Sequence, residues 1–537
     1  MAPALSDDTL KSLTCIKRYF EPLNSDPKAH TTNVNLENRL RELANLTRND
    51  PQQRTLLGEN PTFMEIISHL WVFAMDKIHA NEDYITLGAT QDMVLRLAQL
   101  TRNVAAGCPN NQLWIMRNCE LSIRRLLHFF TGWYRAQETA YHRLTTAIVQ
   151  CLANVVTGNE ESSCIIWTTY MDLEEKDNVI TRLLEYPARN VVSATLVFIL
   201  NSLSTRAEHS LILAQRVGGR ATCVSLLEKS DRIFDDEENE DIFQLIYNIF
   251  TKVFQCGSLA PLYKSLQPPD GTISPHQITL LQLLDAYTYD EPSTFNANAC
   301  LTTFLPTTLR NLLDTIKAWS NNDPGSGIGS RSAPNENLPP VAAATVLISQ
   351  TLANGLMAEQ LAWENSMDKA STKRPMLEFL KNPSDLFVEL ILGICHFVMI
   401  NVLSLDLIIY EDVLRRLNQI LPRIQFGKVK PMFTRNESVD QPATLDASGF
   451  QFLKRDLVRL LGIITHEDPG IQVRVRECGG VQLVLGLCAI DESNPYIREH
   501  ALFTLRNLLH NNAENQRIVK EMEPMGRIDE NGILTGL

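Results

Sequence analysis

The side chains best able to do chemistry are scattered along this chain rather than gathered. Eleven cysteines run from Cys15 to Cys488, an odd number without a C-x-x-C pair. A disulfide framework needs a short, cysteine-dense secreted chain, so these read as reduced, mostly buried thiols. Soft metal ions want several sulfur ligands within reach of one point. The nearest cysteines here, Cys478 and Cys488, lie ten apart, and Met522 and Met525 form a lone Met-x-x-Met pair. Cys395 and His396 are adjacent, so on a helix they point roughly 100° apart and chelate poorly together. Zinc-type spacings, H-E-x-x-H, G-x-S-x-G and the kinase signatures are absent. The GSGIG run Gly325–Gly329 follows Asn-Asn-Asp-Pro and precedes Pro-rich coil, where a phosphate loop needs a strand before it and a helix after it. These residues predict no catalytic set, no metal site and no cofactor.

Charge narrows the partners. The formal net charge is -13, which repels phosphate backbones and anionic lipid and predicts no nucleic-acid partner. Two local runs stand out. Asp235 to Asp241 (DDEENED) precedes an apolar helix and reads as a solvated N-terminal turn that suits the helix dipole, or as a dock for a basic segment. Lys454, Arg455, Arg459, Arg474 and Arg476 read as a solvated basic face, or as a patch for an acidic partner. The first twenty residues carry Asp7, Asp8, Lys11, Lys17 and Arg18 and no continuous apolar stretch, which predicts no secretory signal and a cytoplasmic location. The sequons at Asn45 and Asn436 then stay unmodified. Leu390 to Leu405 (LILGICHFVMINVLSL) is 16 residues long and contains His396 and Asn401. It falls short of the roughly 20 residues that span a bilayer and reads as a buried helix, so no membrane span is expected.

Hydrophobic residues make up 44% of the chain and charged ones 21%, the balance of a folded protein. The elements that must hold these side chains are helices. Leu36, Leu40, Leu43 and Leu46 share one face; so do Val94, Leu97, Leu100 and Val104, then Leu144, Ile148, Cys151 and Val155. Steps of three and four are the mark of amphipathic helices. Many of these helices end in an apolar–Asn–apolar phrase and a polar loop: ANLTRN at Asn45, AQLTRN at Gln99, ANVVTGN at Asn154, LNSLS at Asn201, YNIF at Asn248, RNLL at Asn311, ANGL at Asn354 and RNLLHNN at Asn507. Gly462 takes the Asn place in one unit. Most successive phrases lie 43 to 55 residues apart, the period of HEAT or armadillo units. The fold class expected is all-α, an armadillo/HEAT-like α-solenoid superhelix in which stacked units share one core. Two polar, Pro-containing stretches, 321–340 and 425–448, divide it into an N-terminal block 1–320, a middle block 341–424 and a C-terminal block 449–537.

The last unit runs from Gly479-Gly480 through VQLVLGLCAI, the DESNP turn, a Pro495-led helix and IREHALFTLRNLLHNN, and it resembles the armadillo consensus closely. From Phe450 to Glu523 the resemblance sharpens to one family. FQFLKRDLVRLLGIITHEDPGIQVRVRECGGVQLVL and DESNPYIREHALFTLRNLLHNNAENQ resemble the C-terminal domain of the ataxin-10 family. That resemblance implies an armadillo-type fold, a cytoplasmic location, self-association and a part in cytokinesis. Homotypic association is expected of Phe450–Glu523, with Asn494, Pro495, Arg506 and Asn515 as its candidate residues. Some members carry a copper-transport name, which keeps metal homeostasis as an alternative.

Armadillo units present an Asn on their third helix to hold a bound peptide backbone, since an amide donates and accepts at once. Asn154, Asn201, Asn248 and Asn507 are the candidates for that surface, with capping or bridging between repeats as the other reading. A nuclear-cargo receptor would pair a Trp one turn before each Asn. Arg41, Gln150, Val197, Gln244 and Phe503 stand there instead. The expected protein is a non-enzymatic scaffold for other proteins and a homo-oligomer.

Overall fold

The computed structural model describes residues 5–25, 33–79, 84–234, 236–291, 299–322, 338–366, 374–381, 387–401, 452–489, 491, 494–522, 527–528 and 534–535. They form two compact units, Met1–Leu266 and Gln267–Leu537. The first contains α1 (Asp7–Ser25), α2 (Asn33–Arg48), α3 (Pro51–Gly58), α4 (Pro61–His79), α5 (Tyr84–Ala105), α6 (Pro109–Phe130), α7 (Trp133–Gln137), α8 (Thr139–Val156), α9 (Glu160–Met171), α10 (Val179–Leu184), α11 (Arg189–Thr205), α12 (Glu208–Gln215), α13 (Val217–Ile233), α14 (Glu240–Gln255) and α15 (Leu259–Ser265). The second contains α16 (Pro275–Asp290), α17 (Ala299–Asn322), α18 (Leu338–Asn365), α19 (Pro375–Lys381), α20 (Phe387–Asn401), α21 (Leu453–Ile464), α22 (Pro469–Glu477), α23 (Gly480–Gly486), α24 (Ile497–Leu509) and α25 (Ala513–Glu521). The only strands among the described residues are β1 (Arg527–Ile528) and β2 (Leu534–Thr535), an antiparallel pair.

Repetition shows in what packs on what. In the first unit α2, α5, α8, α11 and α14 pack each on the next as a row, and α4 packs on α6 and α6 on α9. In the second unit α16, α18, α21 and α24 form a like row. The fold is an all-α solenoid in each unit, because no single amphipathic helix pair can cover its own apolar face. The periodic residues supply the core: Leu36, Leu40, Leu43, Val94, Leu97, Leu100, Val104, Leu144, Ile148, Cys151 and Val155 are all buried. The helices between Pro275 and Asn322, read from sequence with the N-terminal block, pack on α18 and belong to the second unit. Helix also covers both ends of the expected 321–340 linker, since α17 runs to Asn322 and α18 begins at Leu338. Residues 323–337 and the 425–448 loop lie outside the described residues.

Among the described residues, the helix that meets the length and hydropathy of a membrane span is Pro340–Asn365, within α18; residues 402–405 of the Leu390 stretch lie outside the described residues. Of its most apolar window, 78% is buried against neighbouring helices, which makes it the core of the second unit's row.

Helix ends are closed in a recurrent way. The last four carbonyls of a helix have no partner within it. The side-chain amide of Gln112, three residues after Pro109 on α6, donates to the carbonyls of Asn154 (2.7 Å) and Thr157 (2.9 Å) at the end of α8. In the second unit Gln472, three residues after Pro469 on α22, donates to the carbonyls of Asn507 (2.9 Å) and His510 (3.5 Å) at the end of α24. The chain then turns through a left-handed residue, Gly158 (φ 67°) after α8 and Asn511 (φ 53°) after α24. Asn159 and Asn512 follow as N-caps of α9 and α25, each accepting from a backbone N–H three residues on.

The second unit also buries charge. Asp285 on α16 accepts from the Thr351 hydroxyl of α18 at 3.0 Å, and Asp456 on α21 accepts from Gln350 of α18 at 3.0 Å. Desolvation lifts the Asp285 carboxyl to about 6; the Thr351 hydrogen bond opposes the rise, Asp456 adds to it and Arg459 opposes it. A carboxyl with a raised folded-state pKa favours folding in its protonated form. That stability is complete below its unfolded value of 3.8 and is lost as pH rises through about 6.

Two outcomes are expected in thermal melts of the full chain. Gln472→Ala removes the donor to the carbonyls of Asn507 and His510 and lowers stability by about 1–2 kcal/mol; an unchanged melt contradicts the capping role. Asp285→Asn keeps an acceptor for Thr351 and is more stable than the parent by about 2–3 kcal/mol above pH 6, a gap that closes below pH 4. A gap that persists undiminished at low pH contradicts the titration of Asp285.

Candidate functional site

The Asn series sits on the row helices, and most of its amides are already engaged. Asn154 on α8 donates to the carbonyl of Arg102 near the end of α5 at 3.0 Å. Asn201 on α11 donates to the Thr157 hydroxyl at 2.8 Å, and Asn507 on α24 donates to the carbonyl of Gly462 on α21 at 2.9 Å. Each reaches back one repeat. Asn507 is buried, while Asn154 and Asn201 are half-buried. Asn248 on α14 accepts from Gln244 at 3.1 Å through its oxygen, and its amide nitrogen has no partner among the described residues. Of the four candidates for a peptide-backbone surface, Asn248 therefore keeps its donor open and the other three spend theirs on bridging repeats.

Sequence reasoning took Gln99 as the second member of the series, but the bridging donor on α5 is Asn103, whose amide reaches the Ala44 carbonyl at 2.7 Å. Gln99 instead accepts from Arg96 at 3.1 Å. Gly462 stands in the Asn place because α24 comes too close for a side chain. A Cβ there would lie 2.5 Å from the Thr504 hydroxyl and 2.9 Å from the Phe503 ring. The Thr504 hydroxyl uses that proximity to donate to the Val458 carbonyl at 2.9 Å.

The four candidates for self-association divide by exposure. Asn494 and Asn515 are buried. Asn494 donates to Asp491 at 3.2 Å, and Asn515 donates to the Leu508 carbonyl at 2.8 Å, so both hold the domain together. Pro495 and Arg506 are exposed. Arg506 shares its face of α24 with Leu502 (47% exposed) and Phe503 (41%), at the i, i+4 and i, i+3 spacings, and Tyr496 (63%) precedes the helix.

The basic cluster of the C-terminal domain is spent on internal contacts. Lys454 pairs with Asp491 at 2.6 Å and Arg455 with Asp456 at 2.8 Å. Arg474 makes a two-oxygen contact with Glu389 of α20, at 2.7 and 2.9 Å, which ties α22 to α20. Arg476 donates to Asn512 and Asn515, and Arg459 to Asn354 of α18. In the acidic run, Asp241 pairs with Arg189, which also donates to the Glu238 carbonyl. Asp235 lies outside the described residues.

Reactive side chains are held apart. Among the described residues no group of three or more His, Cys, Asp or Glu side chains is placed to hold a metal ion. Burial pushes the thiols of Cys151, Cys223 and Cys395 up to about 12 and that of Cys119 still higher, which keeps them protonated. The side chain of His396 and residue Met525 lie outside the described residues. His209 is buried and its Nδ1 lies 2.7 Å from the Ser202 carbonyl; burial lowers its pKa and keeps the ring neutral.

Residues 453–536 match the family model of the spinocerebellar ataxia type 10 protein domain. The ataxin-10 homologue of Dictyostelium discoideum is 38% identical over 73 residues, 14% of this chain and 12% of that protein. The Saccharomyces cerevisiae ataxin-10 homologue is 36% identical over 87 residues, 16% of each chain. Ataxin-10 of Homo sapiens is 35% identical over 83 residues, 16% of this chain and 17% of its own. The aligned stretch thus spans less than a fifth of each of these relatives. An engineered protein of solved structure aligns with 94% of this chain at 13% identity and a TM-score of 0.36; the fold rests on the helices themselves.

Replacing Asn154 by Ala removes a donor to the end of α5 and is expected to lower stability by about 1 kcal/mol, seen as a lower melting temperature of the full chain. A variant that melts like the parent and loses partner capture instead would assign Asn154 to the binding surface.

Proposed function

We propose, from the match of residues 453–536 to the ataxin-10 domain, that the chain is an ataxin-10-type, non-enzymatic protein-interaction scaffold that associates with a second copy of itself. The matched domain carries a homo-association label, which supports that reading. The observation that carries it is the apolar strip on α24: Leu502 and Phe503 are large hydrophobic side chains left in solvent beside Arg506, within the matched residues. Apolar side chains rimmed by an arginine are the composition of an interface centre. Stacked helical repeats supply long surfaces for further protein partners. A cytoplasmic location and a part in cytokinesis complete the proposal, on the resemblance to the family.

Light scattering of the full-length chain tests it. The double variant Leu502→Asp/Arg506→Glu is expected to fall from an oligomeric mass to that of a single chain with its melting temperature kept, because both side chains are solvent-facing. A parent chain that scatters as a monomer, or a variant that keeps the oligomeric mass, removes α24 as the self-association face.

A further inference from the structure

A groove of about 580 Å³ in the first unit runs between the α5, α8 and α11 row helices. Arg102 of α5, Arg143 of α8 and Arg189 of α11 line it, with His142, Gln99 and Gln150, and no Asp or Glu is among its lining residues. In a chain with 62 acidic against 49 basic residues, this is a local reversal of sign.

The arginines differ in how far they are satisfied. Arg189 is paired with Asp241. Arg102 is half-buried and donates only to neutral oxygens, Gln150 Oε1 at 2.6 Å and Asn103 Oδ1 at 3.2 Å. Its guanidinium is destabilised first by burial, and Arg48 adds repulsion while Cys151 opposes it. Arg143 is exposed and makes no hydrogen bond or ion pair with any described residue. Glu37 of α2, the helix packed on α5, is paired with Arg96 at 3.2 Å. A partly desolvated guanidinium without a carboxylate, beside a second free one, is short of negative charge that a ligand can supply.

We propose that this groove docks an acidic peptide segment of a partner protein, with side-chain carboxylates on Arg102 and Arg143. The Gln150 amide N–H groups and the Asn190 side-chain amide border the same groove and match the hydrogen-bonding groups of a peptide backbone. A long polyanion such as nucleic acid meets the repulsion of the chain's net charge of -13, whereas a short acidic segment meets only the groove. The assignment rests on the reading of the chain as a protein-binding scaffold, and it is independent of self-association, which concerns the other unit.

Fluorescence anisotropy with the full-length chain tests it. The probes are a labelled peptide of alternating glutamate and serine, its twin with glutamine for every glutamate, and an oligothymidylate of matched length. The glutamate peptide is expected to bind about tenfold or more tighter than the glutamine twin, and Arg143→Glu to weaken it about tenfold without altering the melting temperature. Arg102→Gln, which keeps hydrogen-bonding capacity, is expected to weaken the same peptide in a chain that still melts cooperatively. No binding of the glutamate peptide, equal binding of the twin, preference for the oligothymidylate, or unchanged affinity in Arg143→Glu overturns the proposal. None of these outcomes bears on the light-scattering mass, so the two readings fail separately.

Discussion

The carbonyls at the C-terminal ends of the row helices are the constraint from which the rest of the structure follows. The last carbonyls of a helix have no partner within it, and an unpaired carbonyl that becomes buried is costly. The chain answers with side-chain amides carried by another helix. Gln112 and Gln472 do this in the two units separately, from the same place in a Pro-led helix and onto two carbonyls each. Asn154 and Asn507 add a second donor one repeat back. Because the Asn donors belong to the following row helix, closing a helix end and stacking a repeat are one event there. Loosening one repeat orphans the end of its neighbour, which gives the nearest-neighbour coupling of a solenoid a polar component beside the apolar one.

Much of this fold was legible in the sequence, and the reason is periodicity. Leu36, Leu40 and Leu43 fall on one stripe and are buried on it, as are Val94, Leu97, Leu100 and Val104. The end phrases marked the row helices because an amide is needed near each helix end. What the sequence withheld was direction. An Asn that reaches back to a carbonyl and an Asn that faces a bound peptide have the same neighbours in the chain, and only the placement of Arg102, Thr157 and Gly462 separates them. Gln112 and Gln472 went unnoticed although Pro109–Gln112 and Pro469–Gln472 repeat one spacing. Gly462 looked like a lapse in the pattern and is a close approach of two helices. The apolar helix within α18 is diluted with Thr, Gln and Asn, so its hydropathy shows less plainly in the sequence than the denser apolar run of the Leu390 stretch.

Charge was the least legible property, for a related reason. Lys454, Arg455, Arg474 and Arg476 lie close in sequence and appear as a cluster, yet the helices carry them to separate acceptors. Arg102 and Arg143 lie far apart in sequence and show no pattern, yet one repeat of the solenoid separates them and they share a groove. A repeat fold sums over its period: residues one unit apart become neighbours, while residues one turn apart point to different partners. A charge pattern in such a chain has meaning only once it is folded onto that period.

The same folding explains the character of the ionisable groups. Strongly shifted groups gathered in one cleft are the sign of a catalytic centre. Here burial alone is the largest cause for Cys151, Cys223, Cys395, Tyr263 and Asp285, and these residues sit on different helices in both units. Arg102 illustrates the consequence. Its charge acts on the Cys151 thiol in the direction that would activate it, but desolvation outweighs that pull and the thiol stays protonated. What remains for Arg102 is the face it turns to the groove, where a charge with no carboxylate beside it has binding as its use.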